Sequence, residues 1–238
     1  MTSDNLLALK GITKEYKEFR LGPLDLSVPR GYVMGLVGAN GAGKTTAIKI
    51  ALGAVLPGNG SAHLIDKTRV GVVLDQPCWQ ATWRVRDLSR LLGPFYPGWD
   101  QRVFDELCEW AGVSQRLKVR EFSRGMGMKV QVAVALAHRA ELLVLDEPTS
   151  GLDPLARGEL LDKLSEFMTD ERHSVLFSTH ITTDLDRMAD LVTILDAGRV
   201  IASGARDDLL EAWAMVRGGA ADLTGELRAR IRGLRQHS

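Results

Sequence analysis

The sequence predicts an α/β fold in layers, built on a largely parallel sheet, and three observations predict it. Short, continuous apolar runs recur along the chain, as expected of strands buried on both faces. They alternate with longer amphipathic stretches, the pattern of strand and helix units packed against one another. Between about residues 81 and 139 this rhythm stops, and helical segments follow one another with no convincing strand between them.

In chain order, Leu6–Leu9, Leu24–Val28 and Tyr32–Val37 read as strands, and Thr45–Leu52 reads as a helix after a glycine-rich turn. Val70–Leu74, Leu142–Leu145, Val175–Phe177, Leu191–Leu195 and Arg199–Ala202 are further strand candidates. Within the break, Arg84–Leu92, Asp100–Trp110 and Arg124–His138 have helical patterning; Val103, Phe104, Leu107 and Ala111 fall on one helix face. These three are expected to form a helical subdomain, about 81–139, inserted into the α/β core. Asp153 followed by Pro154 marks a helix start, an N-cap and then proline at the first helical position. Residues 219–238 carry Arg228, Arg230, Arg232 and Arg235 against Glu226 and are set apart as a basic C-terminal tail; residues 1–218 form the main domain.

Composition narrows the class. In 238 residues, 30 basic side chains balance 30 acidic ones, which argues against nucleic acid as the main partner. Cys78 and Cys108 are the only cysteines and make no CxxC pair, as in a reduced, cytosolic chain. No run of about 18 apolar residues is present to span a bilayer, and MTSDNLLALK lacks the basic start and apolar run of a signal peptide. A role at a membrane would therefore require docking on another chain.

Two segments carry chemistry. GANGAGKT, Gly38–Thr45, fits G-x-x-x-x-G-K-S/T between a strand-like and a helix-like segment. Glycines at 38, 41 and 43 let the backbone, including Ala39, Asn40 and Ala42, curl with its N–H groups toward phosphate oxygens. The helix start at Lys44, Thr45 and Thr46 adds positive potential. Lys44 supplies a full charge, and the Thr45 hydroxyl suits Mg²⁺. The second segment, ELLVLDEP, ends an apolar strand in Asp146 and Glu147. Asp146 stands where a Mg²⁺-holding carboxylate belongs. Glu147, one residue on, projects differently and is the candidate to polarise a water toward the γ-phosphate.

With these segments in place, the chain resembles the nucleotide-binding subunit of an ABC transporter over nearly all of residues 6–215. EFSRGM, with Ser123, Arg124, Gly125 and Met126, stands where the family has its LSGGQ signature. SGLD, ending in Asp153, resembles the D-loop, and FSTH ends in His180, which resembles the switch histidine. Tyr16 lies where the family places an aromatic residue on adenine. The resemblance implies a P-loop NTPase core with a mostly parallel sheet, an N-terminal antiparallel β part and an inserted helical subdomain. It implies ATP and Mg²⁺ as cofactors, and catalysis by Glu147 and His180. It also implies a head-to-tail dimer with a second ATPase subunit of the same or a related chain, with ATP between the P-loop of one and Ser123 and Gly125 of the other. A separate membrane-spanning subunit would hold the dimer at the inner face of the cell membrane, in the cytoplasm, and nucleic acid would not be a partner.

The departures matter as well. The signature reads SRGM, so Arg124 adds a cation, expected to reach ATP bound by the partner, and Met126 removes an amide. FSRGMGMK and PFYPGWD resemble small bacterial exporter-type ATPases. In GVVLDQP the family's Q-loop position falls on Asp75 by counting and on Gln76 by residue type, leaving both as metal candidates. Trp79 and Trp83, in polar surroundings, are expected to build a docking surface flanked by Arg84 and Arg86; the competing reading places them in the subdomain core, as expected for Trp110. A soluble ABC-type ATPase acting on nucleic acid fits less well, because the chain has one P-loop, one signature and no heptad run. Lys44, Asp146, Glu147 and His180 speak against a non-hydrolysing module.

Overall fold

The apolar runs, with one further strand that has none, become two sheets that enclose the first helix. In the computed structural model, which describes residues 4–212, the chain opens with β1 (Asn5–Glu15) and β2 (Arg20–Pro29), paired antiparallel across a turn closed by Tyr16 N–H donating to Phe19 O at 2.8 Å. A third strand, β4 (Asn59–Leu64), pairs antiparallel with β1 and completes a sheet of order β2-β1-β4. The segment 219–238 lies outside the described residues.

The second sheet has six strands: β3 (Val33–Val37), β5 (Val70–Val73), β6 (Leu142–Asp146), β7 (Ser174–Thr179), β8 (Leu191–Asp196) and β9 (Arg199–Ala205). Their order is β5-β6-β7-β3-β8-β9, and every neighbouring pair is parallel except the β8-β9 hairpin. β6 and β7 are buried along their whole length, which is why their sequences are unbroken apolar or small-polar runs. On one face, Leu142, Val144, Leu176, Met34 and Leu36 pack with helix α1 (Lys44–Ala51) and the antiparallel sheet. On the other, Leu143, Leu145, Val175 and Phe177 pack against α4 (Arg124–Ala137), α5 (Pro154–Phe167) and α6 (Thr182–Met188).

The break in the strand rhythm is a helical cluster that shares α4 with the main core. Helices α2 (Val85–Leu92) and α3 (Gln101–Trp110) bury Val85, Leu88, Phe104 and Leu107 against Val130, Ala133, Val134 and Ala137 of α4. The α4 helix is therefore apolar on two faces, with Met128, Val132 and Ala135 turned to the main sheet. It is anchored at the exit of β5 by the buried Gln131 amide, which accepts from Leu74 N–H at 3.0 Å and donates to Leu74 O at 2.9 Å. Two such bonds contribute about 1 kcal/mol each, and breaking them would leave buried backbone groups unpaired at a larger cost. Trp79 and Trp83 are half-buried against this same helical cluster, so the core reading describes them better than an exposed docking face. Both cysteines are free, Cys78 exposed and Cys108 buried, where loss of solvent pushes the thiol up to about 12.

Candidate active site

Sheet order gathers the site. β3 lies beside β7, and β7 beside β6; Val37 is opposite Thr179, and Asp146 opposite Ser178. The residues that follow these three strand ends therefore meet at one edge: the loop 38–43 after β3, Glu147 after β6 and His180 after β7. This is the carboxyl edge of a parallel sheet, where open α/β folds place ligands.

The glycines of the loop answer to its geometry. A Cβ on Gly38 would lie 2.3 Å from Leu195 O. Gly43, which caps α1, has φ 109°, a left-handed value at which a side chain is strained. Lys44 is buried, and its Nζ donates to Gly38 O at 2.6 Å and Ala39 O at 3.1 Å. The same ammonium stands 2.9 Å from Glu147 Oε1, an ion pair whose angle falls short of a hydrogen bond. Glu147 adopts φ 52°, a left-handed value rare for a residue with a side chain. Its N–H donates to Ser178 Oγ at 3.0 Å, and its Oε2 meets His180 Nδ1 at 2.7 Å. Lys44, Glu147 and His180 thus form one chain of charged and hydrogen-bonding groups. Beside it, Thr45 Oγ1 donates to Asp146 Oδ2 at 2.8 Å, and Ser178 Oγ to Asp146 Oδ1 at 2.7 Å.

Asn40, Gly41, Gly43, Lys44, Thr45, Thr46 and Glu147 line a cavity of about 420 Å³ together with Phe19, an aromatic residue that sequence reasoning passed over. Tyr16 does not line it; its half-exposed ring lies 6.4 Å from that of Phe19. Ala42 is buried behind the loop, its N–H donating to Ala39 O at 3.1 Å. Asp75 and Gln76 also fall outside that lining, and the Asp75 carboxylate is bound by the Arg124 guanidinium.

The signature segment forms a second concave surface. Ser123 caps α4, its Oγ accepting from Met126 N–H at 3.2 Å. Asp153 caps α5, its Oδ1 accepting from Leu155 N–H at 3.0 Å and Ala156 N–H at 2.9 Å. Ser123, Arg124, Gly125 and Met126 share a cavity of about 580 Å³ with Gly151, Leu152 and Asp153.

The donors around Asp146 suit a hard divalent cation: two hydroxyls and a buried carboxylate, all oxygen. Among the described residues no group of three or more His, Cys, Asp or Glu side chains is placed to hold a metal alone. A cation here would take its other ligands from phosphate and water, the habit of Mg²⁺.

Comparison with known proteins agrees in family. The family model described as ABC transporter matches residues 21–150. The chain is 34% identical over 223 residues to a Nod factor export ATP-binding protein I of Cupriavidus pinatubonensis, covering 87% of this chain and 68% of that one. It is 33% identical over 223 residues to a daunorubicin resistance ATP-binding protein of Streptomyces coeruleorubidus, covering 87% and 70%. Among solved structures, an ATP binding subunit of an ABC transporter superposes with a TM-score of 0.77 at 29% identity, covering 94% of this chain and 98% of that one.

Proposed function

The chain belongs to the ABC transporter family as an ATP-binding, ATP-hydrolysing subunit, and on that premise we propose that two such subunits close head to tail on ATP to drive export through a separate membrane subunit. The observation that carries this reading is the Lys44–Glu147–His180 chain beside the Thr45–Asp146 pair at one sheet edge. In it Lys44 neutralises the β- and γ-phosphates, and the N–H groups of Gly38–Thr46 cradle them. Thr45 and Asp146 would hold Mg²⁺, which when bound offsets phosphate charge. Glu147, held on one side by His180, orients the attacking water. An oxygen–phosphorus bond forms from water as the bond to the bridging oxygen breaks, giving ADP and phosphate; the water's proton passes first toward Glu147.

Ser123 and Gly125, at the start of α4, offer N–H donors to the γ-phosphate of ATP held by the other subunit. Phe19, on the cavity wall, and Tyr16, next to it, are the candidates to flank the base. Export is the direction named in one relative, the Nod factor export ATP-binding protein. No described helix is long and apolar enough to cross a membrane.

The test is a phosphate-release assay paired with calorimetry of ATP binding. Glu147→Gln and His180→Ala should each lose turnover by about two orders of magnitude or more while still binding ATP. Hydrolysis at the wild-type rate in Glu147→Gln would move the base elsewhere.

A further inference from the structure

We propose that Arg124 is a positioning residue acting within its own subunit: it locks the signature turn to the D-loop and to the exit of β5 through Asp75. The proposal rests on the sandwich reading above and replaces the expected role of Arg124 as a phosphate ligand for the neighbouring subunit.

The guanidinium joins three segments that are far apart in sequence. From the first position of α4, Arg124 Nε donates to Ser150 O at 2.5 Å, and Nη2 donates to Asp75 Oδ1. Gly151 has φ 67°, and a Cβ there would sit 3.0 Å from Arg124 Nε, so the loop backbone lies directly against the guanidinium. A planar fork with fixed donor directions can serve a carbonyl and a carboxylate together; an ammonium on a flexible stem cannot do so in the same geometry. Two turns further along α4, the buried Gln131 amide holds the backbone of Leu74, the residue before Asp75. The exit of β5 is therefore tied to α4 at two points, one buried and one charged and half-exposed.

What this arrangement fixes is the spacing of two loops. Ser123–Met126 and Gly151–Asp153 line one cavity, and a second subunit would meet both at once. The pair with Asp75 is exposed enough to contribute little to global stability. Its effect is expected in turnover. The two roles for Arg124 give opposite signs for one substitution. If Arg124 positions the loops, losing Asp75 harms activity. If Arg124 reaches phosphate in the other subunit, Asp75 is a competing anion, and losing it helps or changes nothing.

The experiment compares steady-state ATP hydrolysis and melting of the full chain with Arg124→Ala, Arg124→Lys, Asp75→Asn and the double variant Arg124→Ala/Asp75→Asn. Each alanine or asparagine single variant should lower kcat about tenfold with KM for ATP changed less than about twofold, and the double variant should be no slower than Arg124→Ala. Arg124→Lys should fall short of wild type, and all should melt close to it. Turnover at or above wild type in Asp75→Asn, or losses that multiply in the double variant, would overturn the proposal. Failure of the sandwich reading shows separately, as a Glu147→Gln chain that stays monomeric with ATP; the shared cavity would then have no second subunit to meet, and the proposal would fall with it.

Discussion

Glu147 follows a fully buried strand, turns into the left-handed region at φ 52° and so directs its carboxylate between Lys44 and His180. The sequence shows an acid after an apolar strand but not this turn, because backbone strain leaves no mark on residue type. Lys44 was legible from its motif; its dependence on the carbonyls of Gly38 and Ala39 was not. Lys44→Ala should cut ATP affinity at least about a hundredfold, measured by calorimetry, since the loop loses its one full positive charge and Glu147 then repels phosphate. Unchanged affinity would contradict that role. His138, outside the site, makes a different prediction. Its ring is buried, stacked on Tyr96 at 4.1 Å and near the carbonyls of Val134 and Val70. Burial holds its pKa below the usual histidine range, although both carbonyls favour the charged ring. A depressed folded pKa means that the full contribution is present above about pH 6.5 and is lost as pH falls toward the folded value. Urea midpoints should therefore decline from pH 7 to pH 5 in the wild type and less steeply in His138→Gln; equal slopes would show that His138 does not set this pH dependence.

Among the elements, α5 and β4 mark the two ends of legibility. The start of α5 is written in Asp153-Pro154, and the side chain of Asp153 caps the helix through two backbone N–H groups. Asp153→Ala should destabilise the chain by about 1 kcal/mol in urea titration, and Asp153→Asn by much less, because asparagine also accepts those bonds. Equal losses would show that charge, not capping, is what Asp153 supplies. β4 was invisible: NGSAHL is mostly exposed and has no apolar run. It is a strand because β1 offers a free edge, a tertiary cause that local pattern does not carry. The three helices of the inserted subdomain were legible from their spacing, and their packing is specific. Phe104 is fully buried among α2, α3 and α4, and Phe104→Ala should cost about 3–5 kcal/mol. The polar surroundings of Trp79 and Trp83 in sequence misled, since the chain folds both rings back onto that cluster.

For the whole molecule, the order β5-β6-β7-β3-β8-β9 sets three strand ends side by side, and with them the phosphate loop, Asp146 with Glu147, and His180. The motifs could be read from the sequence because each is local. The pairing of Arg124 with Asp75 and Ser150, and the presence of Phe19 on the cavity wall, depend on segments that meet only in the fold. On the proposed reading, the P-loop cavity and the signature cavity would each supply part of what ATP hydrolysis needs, and a head-to-tail pair of subunits would complete both. The direct measurement is the mass in solution, by light scattering, of purified Glu147→Gln with and without ATP and Mg²⁺. The chain should be a monomer without nucleotide and a dimer with it, and Gly125→Glu in the same background should abolish the dimer by setting a carboxylate against the γ-phosphate. A Glu147→Gln chain that binds ATP by calorimetry yet stays monomeric, or a dimer indifferent to Gly125→Glu, would contradict head-to-tail pairing.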